Sequence, residues 1–280
     1  MIIRCWGARG SIPVSGPEYV VYGGDTTCIE IRSESDELLI IDAGSGIRRL
    51  GNHLIEEGRN DLNILFTHTH WDHVLGFPFF KPVFSEKTRL SVHGCSFLEE
   101  DLKERLQVVM HAPYFPVDFS LLPSKIEFSE SCAETTILRG FEVTPIPISH
   151  PNEGQGYRIS HNGKNMVFLT DNELTYNHDG GLERAEYVNF CRGADMLIHD
   201  AEFHPHEYEN RTRGWGHSSW DSALELAIES GVKKFGLYHH NQDRQDVEID
   251  EIVSHCRKIV ADREIDLDCF AVRQDGVYEL

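Results

Sequence analysis

The chain has 280 residues, of which 40% are hydrophobic and 10% aromatic, with 23 glycines and 11 prolines. These values exclude collagen, coiled-coil and disordered proteins, and the chain is long enough to bury a core without disulfides. Its 46 acidic and 26 basic residues give a net charge of −20, which disfavours long nucleic acid or an anionic membrane surface as the main partner.

The cysteines and the amino terminus indicate where the protein works. Seven cysteines are scattered and odd in number, a pattern that favours neither a disulfide framework nor a Cys-x-x-Cys zinc site. The first residues carry no basic and apolar signal pattern, and no run of about 18 apolar residues follows anywhere. We therefore expect a soluble, cytoplasmic protein.

Strand and helix patterns alternate along the chain without a repeat or a long linker, so residues 1–280 are predicted to form one domain. The predicted strands are Ile2 to Trp6, Thr27 to Arg32, Leu38 to Ile41, Asn63 to Thr67, Arg89 to His93, Phe141 to Ile146, Gly156 to Ser160, Met166 to Thr170, Met196 to His199 and Phe235 to Tyr238. The predicted helices are Gly46 to Glu57, Ser96 to Met110, Leu182 to Arg192, Ser219 to Ser230, with Ser218 as N-cap and Gly231 as stop, and Glu248 to Asp262. Strands before helices in both halves predict an α/β fold with two sheets between helices.

The densest group of candidate functional residues follows the fourth predicted strand, in the sequence HTHWDH. Alternation along extended backbone places His68 and His70 on one side, and a turn into a helix can bring Asp72 and His73 round to face them. Four ligand-type side chains would then converge on a space for one or two metal ions. Packed at a strand end without a metal, they would each need another polar partner.

Four side chains cannot complete two metal sites, so further ligands are expected after other strands. His150 follows VTPIPIS, Asp171 follows MVFLT and His239 follows FGLY. Imidazole and carboxylate ligands without thiolate suit Zn²⁺, and Mn²⁺ or Fe is also compatible. The alternative is that His150 and Asp171 are ordinary turn residues, and that His240 takes the place of His239.

These motifs resemble the metallo-β-lactamase fold superfamily. The resemblance extends over most of the chain: IIDAGSG at 40–46 is similar to that family's strand ending in Asp-x-Gly, and HDAEF at 199–203 with GHSS at 216–219 resembles the phosphodiesterase branch that contains ribonuclease Z. The resemblance implies a four-layer αββα sandwich. It also implies a possible dimer, because members of this branch are often dimeric.

The resemblance assigns roles to the candidate ligands. It implies that one metal is held by His68, His70 and His150 and the other by Asp72, His73 and His239, with Asp171 between them. Two divalent ions, with Zn²⁺ favoured, can share a hydroxide, because metal binding lowers the pKa of water from 15.7 to about 7. Asp72 is given a catalytic as well as a metal-holding role, and Asp42 is expected to support a ligand or form a turn.

A protonated side chain is also needed for the leaving alkoxide. His217, oriented by Asp200, stands where the ribonuclease Z branch has its carboxylate and histidine pair, although that branch usually has Glu in place of this aspartate. The alternative reading makes His217 a polar residue at the start of a helix.

The substrate is the least defined part of the prediction. Tyr114 and Phe115, in HAPYFPVDF, would form an apolar wall beside the metals or seal the core, and His240 would line the pocket or pack outside it. No Gly- and Lys-rich arm for gripping tRNA is present. We therefore expect a phosphodiesterase acting on a small phosphodiester, with a cyclic nucleotide favoured. Alternatives are a ribonuclease Z-like endonuclease, a nucleotide sensor with little turnover and, less favoured, a β-lactamase, thioester hydrolase or flavodiiron protein.

Overall fold

The structure is a computed structural model that describes residues 1–94, 96–130 and 134–280. Cys95 and Cys132 lie outside the described residues, and the other five cysteines are buried free thiols. The strands are β1 (Ile2–Gly7), β2 (Cys28–Arg32), β3 (Leu38–Ile41), β4 (Asp61–Leu65), β5 (Arg89–Gly94), β6 (Lys125–Glu130), β7 (Thr136–Leu138), β8 (Phe141–Pro147), β9 (Gln155–His161), β10 (Lys164–Leu169), β11 (Met196–Asp200), β12 (Lys234–Tyr238), β13 (Asp268–Ala271) and β14 (Val277–Glu279).

The strands form two sheets of the same design. The first has the order β14-β1-β2-β3-β4-β5-β6 and the second the order β13-β12-β11-β10-β9-β8-β7. From β14 in the first sheet, and from β7 in the second, three antiparallel pairings are followed by three parallel ones. Both sheets therefore have a parallel half, in which several strands end at the same edge and their loops lie close together.

Alternating side chains divide the apolar residues among three layers of core. In β10, Met166 and Phe168 pack between the sheets, whereas Val167 and Leu169 pack on the outer face against helices. The first sheet has a matching outer cluster against its own helices. Because each sheet buries both faces, the molecule has four layers, helices–sheet–sheet–helices. The predicted αββα sandwich is confirmed.

The helices cover the outer faces of both sheets. They are α1 (Ile47–Glu56), α2 (Trp71–Val74), α3 (Ser96–Val109), α4 (Arg184–Cys191), α5 (Pro205–Glu207), α6 (Trp220–Ser230) and α7 (Asp246–Asp262), with 3₁₀ turns at Pro17–Tyr19, Phe77–Phe79, Lys81–Phe84 and Phe119–Leu121 and a π-helical turn at Tyr208–Thr212. The described residues contain no helix of the length and apolarity that a membrane span requires.

The predicted helix around 219–230 differs from the structure at its start. The N-cap position of α6 is taken by Ser219, not Ser218, whose hydroxyl instead donates to the Asn172 carbonyl at 2.7 Å. Gly231 ends the helix in the left-handed conformation, at φ 67°, as its position predicted.

Candidate metal centre

The four residues of the HTHWDH motif converge because the chain turns sharply after β4. His68 and His70 lie on the segment that leaves the strand, and α2 begins at Trp71, which places Asp72 and His73 in its first turn. His68, Asp72 and His73 are buried, whereas His70 is half-buried. The first turn of the helix therefore folds two ligand-type side chains back over the two that precede it.

Three more candidate ligands arrive at the same place from other strand ends. His150 follows β8, Asp171 follows β10 and His239 follows β12, and all three are buried. Asp171 and His239 have left-handed backbone conformations, with φ 53° and 55°. Such conformations are uncommon for residues other than glycine and cluster at functional sites, where the surrounding structure compensates their strain.

The ligand atoms form two groups. The first consists of His68, His70 and His150, with 2.9 Å between His150 Nε2 and His70 Nδ1. The second consists of Asp72, His73, Asp171 and His239, and within each group the ligand atoms lie within 4.8 Å of one another. The resemblance implied this division for two metal ions, with Asp171 shared between them. Two further combinations of ligand atoms, His150–Asp171–His217 and Glu202–His217–His239, overlap with these groups.

Asp171 lies between the two groups. Its Oδ2 is 3.6 Å from His68 Nε2 and 3.8 Å from His150 Nε2, on the side of the first group. On the other side, Oδ2 is 3.4 Å from His239 Nε2 and Oδ1 is 3.4 Å from His73 Nε2. One carboxylate therefore faces both groups, as a bridging ligand must.

Three of the histidines are held through the ring nitrogen that points away from the cluster. Nδ1 of His73 donates to Asp42 Oδ2 at 2.8 Å, Nδ1 of His150 donates to the Gly216 carbonyl at 2.9 Å, and Nδ1 of His239 donates to Glu202 Oε2 at 3.0 Å. With the proton on Nδ1, Nε2 of each ring is the nitrogen that would present a lone pair to a bound cation. Metal-binding histidines typically have this arrangement.

The residues fit a pair of divalent cations. Among the described residues, the buried Nε2 of His68 has no hydrogen-bond partner, although a buried polar atom without a partner is costly. The donor set contains imidazole and carboxylate and no thiolate, which suits Zn²⁺, Mn²⁺ and Fe. A cation held by these atoms would satisfy His68 and offset the charge of Asp72 and Asp171.

The protein alone shifts the pKa values of these groups in opposite directions. Burial lowers the pKa of His68 well below its usual value and that of His150 to about 3. Burial also opposes charge on His239, but the nearby Asp171, Asp72 and Glu202 carboxylates raise its pKa well above the usual value. Burial opposes charge on His73 as well, but Asp72, Asp171 and Asp42 raise its pKa well above the usual value. A cation bound here would displace protons from His239 and His73, so the affinity of the centre for the cation should rise with pH.

His217 lies beside the two groups and is backed by carboxylates. Its Nδ1 is 3.1 Å from Asp200 Oδ2 and 3.3 Å from Glu202 Oε2, and its ring stacks on that of His239 with centroids 4.8 Å apart. Burial lowers the pKa of His217, but the carboxylates, Glu202 first, outweigh it and raise the pKa to about 9. His217 is therefore protonated at neutral pH.

Two acidic residues that were not predicted from the sequence organise the centre. Glu202 connects His239 and His217, and its Oε1 accepts from Asn241 at 2.7 Å. Glu173 is fully buried and accepts from the backbone of Gly216, whose carbonyl holds His150. A signal for Glu202 was available, because it stands two residues after Asp200, an interval that keeps a side chain on the same side of extended backbone.

The structure places the predicted substrate contacts in other surroundings. Tyr114 is 74% exposed, and Phe115 packs edge-on against Phe79 with ring centroids 5.6 Å apart. His240 is buried, with its ring against Tyr22 and its Nε2 donating to the Val272 carbonyl at 2.7 Å. None of the three lines the cavity that adjoins His217.

Comparison with known proteins identifies relatives of the whole fold. The sequence profile of the family described as "Beta-lactamase superfamily domain" matches residues 37–240. Ribonuclease Z of Halorubrum lacusprofundi is 24% identical over 254 residues, covering 75% of this chain and 78% of its own length. Ribonuclease Z of Sulfolobus acidocaldarius is 26% identical over 255 residues, covering 75% of this chain and 80% of its own length.

Solved structures share the architecture at lower sequence identity. The metallo-beta-lactamase fold protein YhfI from Bacillus subtilis superposes with a TM-score of 0.71 at 17% identity, covering 100% of this chain and 99% of its own. A diphosphatase from the PhnP family has a TM-score of 0.69 at 18% identity, covering 100% of this chain and 97% of its own. Human tRNase Z, short form, has a TM-score of 0.67 at 17% identity, covering 100% and 99%.

Proposed function

Because this chain belongs to the beta-lactamase superfamily, we propose that it is a metal-dependent hydrolase that cleaves a small phosphodiester, with a cyclic nucleotide as the favoured substrate. The observation that carries the proposal is the arrangement of ligand atoms in two groups around Asp171, with His217 beside them. The relatives named ribonuclease Z support phosphodiester chemistry. The net charge of −20 and the absence of a basic arm support a small substrate.

Two divalent cations, with Zn²⁺ favoured over Mn²⁺ and Fe, would be held by His68, His70 and His150 and by Asp72, His73 and His239, with Asp171 between them. When bound, such ions supply a nucleophile from water at neutral pH and neutralise charge that develops on phosphate oxygens. The protein's part is to hold the imidazoles of His73, His150 and His239 with Nε2 toward the centre, through Asp42, Gly216 and Glu202.

His217 is the proposed proton donor to the leaving oxygen. Its Nδ1 faces Asp200 and Glu202, which leaves Nε2 as the nitrogen that can reach a substrate. The carboxylates hold the ring in one orientation, and without bound cations they raise its pKa to about 9, which favours the protonated form that a proton donor needs. A general acid in this position contributes about 10²- to 10⁴-fold to rate. The shorter Asp200 is sufficient here because Glu202 supplies a second carboxylate.

The test combines metal analysis with a substrate screen. Purified protein should contain about two divalent ions per chain and hydrolyse cyclic or linear phosphodiesters after loading with Zn²⁺, Mn²⁺ or Fe²⁺. Replacing Asp171 by Asn should lower the rate by about 10³-fold or more, because loss of one bridging charge weakens both metal positions. The matched control is Asp179→Asn at an exposed aspartate, which should keep full activity. Equal activity in the two variants would refute the proposal.

The second candidate is a ribonuclease Z-like endonuclease, which the named relatives favour. Incubation with a precursor tRNA distinguishes the two functions, because an endonuclease yields a discrete 3′ product and a small-substrate enzyme leaves the RNA intact.

Three predictions from the sequence remain part of the proposal: one domain, a homodimer and a cytoplasmic location. Measurement of the molecular mass in solution tests the dimer.

A further inference from the structure

A cavity of about 490 Å³ opens directly beside the metal centre and shares Glu202 and His217 with it. We propose that this cavity binds the nucleobase of a mononucleotide substrate, with Trp215 as the residue on which the base stacks. The inference rests on the proposed function and assigns a binding site to the part of the substrate that lies away from phosphorus. The volume suits one nucleoside, since small-ligand sites commonly measure about 300 to 1,000 Å³.

Trp215 is an exposed aromatic residue on a fixed loop. Its side chain is 54% exposed, but the amides on both sides of it, at Gly214 and Gly216, donate to the buried Glu173 carboxylate at 2.6 and 2.7 Å. The ring of Phe203 meets it edge-on at 6.4 Å. A flat, solvent-facing indole that is held in place before binding is a suitable platform for a base, because little order is lost on stacking.

A second wall of the cavity, the loop from Asn241 to Arg244, is held by a buried cation. Arg9 is fully buried, and its Nη1 donates to the carbonyls of Asn241 and Arg244 at 3.1 and 2.9 Å. The loop between these two residues contributes Gln242 to the cavity. Both walls are therefore positioned by buried charged side chains, Glu173 on one side and Arg9 on the other.

Polar side chains line the cavity beside Trp215. The lining contains the amide side chains of Asn241 and Gln242 and the charged side chains of Arg211 and Asp243. A nucleobase edge carries both donors and acceptors for groups of this kind, whereas a purely apolar ligand carries neither.

The charges around the cavity suit a nucleotide. Arg244 is paired with Glu207 at 2.6 Å, but Arg211 is exposed and has no ion pair within the part of the chain that the structure describes. Arg211 is therefore a free cation for a phosphate or ribose oxygen, and Asp243 is the exposed carboxylate of the lining. Because His217 lies in the wall shared by the cavity and the metal centre, the substrate would bind with its phosphorus toward the metals and its base toward Trp215.

The experiment compares two cyclic phosphodiesters that differ in the base: adenosine 2′,3′-cyclic phosphate and glycerol 1,2-cyclic phosphate. In the Trp215→Ala variant, kcat/KM for the adenosine substrate should fall about 10- to 100-fold, the usual range for loss of a base stack. The value for the glycerol substrate should stay the same. Trp215→Phe should retain most of the activity on adenosine, and Phe84→Ala, at an exposed aromatic residue outside the cavity lining, should change neither.

A binding measurement separates failure of the inference from failure of the proposed function. Titration with AMP should quench the tryptophan fluorescence of the wild-type protein, and ribose 5-phosphate should not; the AMP signal should be lost in Trp215→Phe. If the wild-type protein hydrolyses neither substrate, the proposed function fails and the AMP titration alone decides the cavity. Equal losses on both substrates in Trp215→Ala, or quenching that survives in Trp215→Phe, would overturn the base subsite.

Discussion

The metal centre and the neighbouring cavity are built in opposite ways. Every proposed ligand comes from a strand end or the turn after it, and all but His70 are buried. The cavity is lined by loops and by the short helical segment that contains Glu207 and Arg211, with Trp215 and Arg211 exposed. Long-range contacts from Glu173 and Arg9 hold the loops. On the proposed function, the centre would serve any phosphodiester, whereas the cavity would select among them.

The largest effect should come from removing a ligand of the centre. His68→Ala should lower activity on a base-containing and a base-free phosphodiester alike, by about 10³-fold or more, because a loosely held metal no longer supplies its nucleophile. Metal content should fall below two ions per chain. A loss confined to the nucleotide would contradict the separation of roles between the two regions.

Glu173 supports both regions, and its replacement should have an intermediate effect. Its carboxylate accepts from Gly214, Gly216, Tyr208 and His178 at once, whereas a Gln amide has one oxygen and two N–H groups. Glu173→Gln should therefore loosen Trp215 and the support of His150 together. We expect metal affinity and activity to fall by about 10- to 100-fold, as for other groups that orient metal ligands.

The control for Glu173→Gln is Glu209→Gln, at an exposed glutamate of the neighbouring π-helical turn. It should leave metal content and both activities unchanged. If Glu173→Gln also retains tight metal binding while losing nucleotide activity, Glu173 serves the cavity alone and the coupling through Gly216 is absent.

A smaller effect concerns stability and pH at the strand end that both regions share. Burial, with Arg9 nearby, lowers the pKa of His240 to about 3, so folded His240 stays neutral while unfolded His240 takes up a proton near pH 6.5. Stability is therefore lost as pH falls from 6.5 toward 3. Between pH 7.5 and 5.5 the wild-type protein should lose about 1.4 kcal/mol more than His240→Gln.

Urea unfolding of both proteins at the two pH values measures this difference. The variant removes the titrating ring and can keep a donor toward the Val272 carbonyl, so it isolates protonation from the lost hydrogen bond. Equal losses in the two proteins would show that His240 is accessible to protons in the folded state.

The smallest effect is expected at Tyr114, in the aromatic wall that the sequence predicted. Tyr114 is 74% exposed, and Tyr114→Ala should change kcat/KM for a nucleotide by less than about twofold, as surface substitutions usually do. Comparison with Trp215→Ala decides which aromatic residue contacts the base. A tenfold loss at Tyr114 would favour the wall predicted from HAPYFPVDF over the cavity beside His217.

The sequence predicted the strands at the centre of each sheet and failed at the margins. Four strands escaped prediction, namely β6, β7, β13 and β14, and these are the four edges of the two sheets. Central strands such as β3 and β11 bury both faces and are therefore mostly apolar runs in the sequence. An edge strand such as β14 is partly exposed and lacks that pattern. Edge strands are defined by the neighbour they pair with, which a local window does not contain.

The parts of the site also divide into those that the local sequence predicts and those that depend on distant neighbours. By itself, the sequence determined the ligand candidates, because a metal-binding turn after a strand is local, and the resemblance to a known superfamily supplied their grouping around Asp171. Asp42 was expected to support a ligand or form a turn, and only the tertiary structure decided that it holds His73, which lies 31 residues away. The other supporting contacts were not expected from the sequence: Glu173 is 43 residues from Gly216 and Arg9 is 235 from Arg244. Hydrogen bonds over such separations leave no periodic trace, since any buried polar residue can make them once packing brings the partners together.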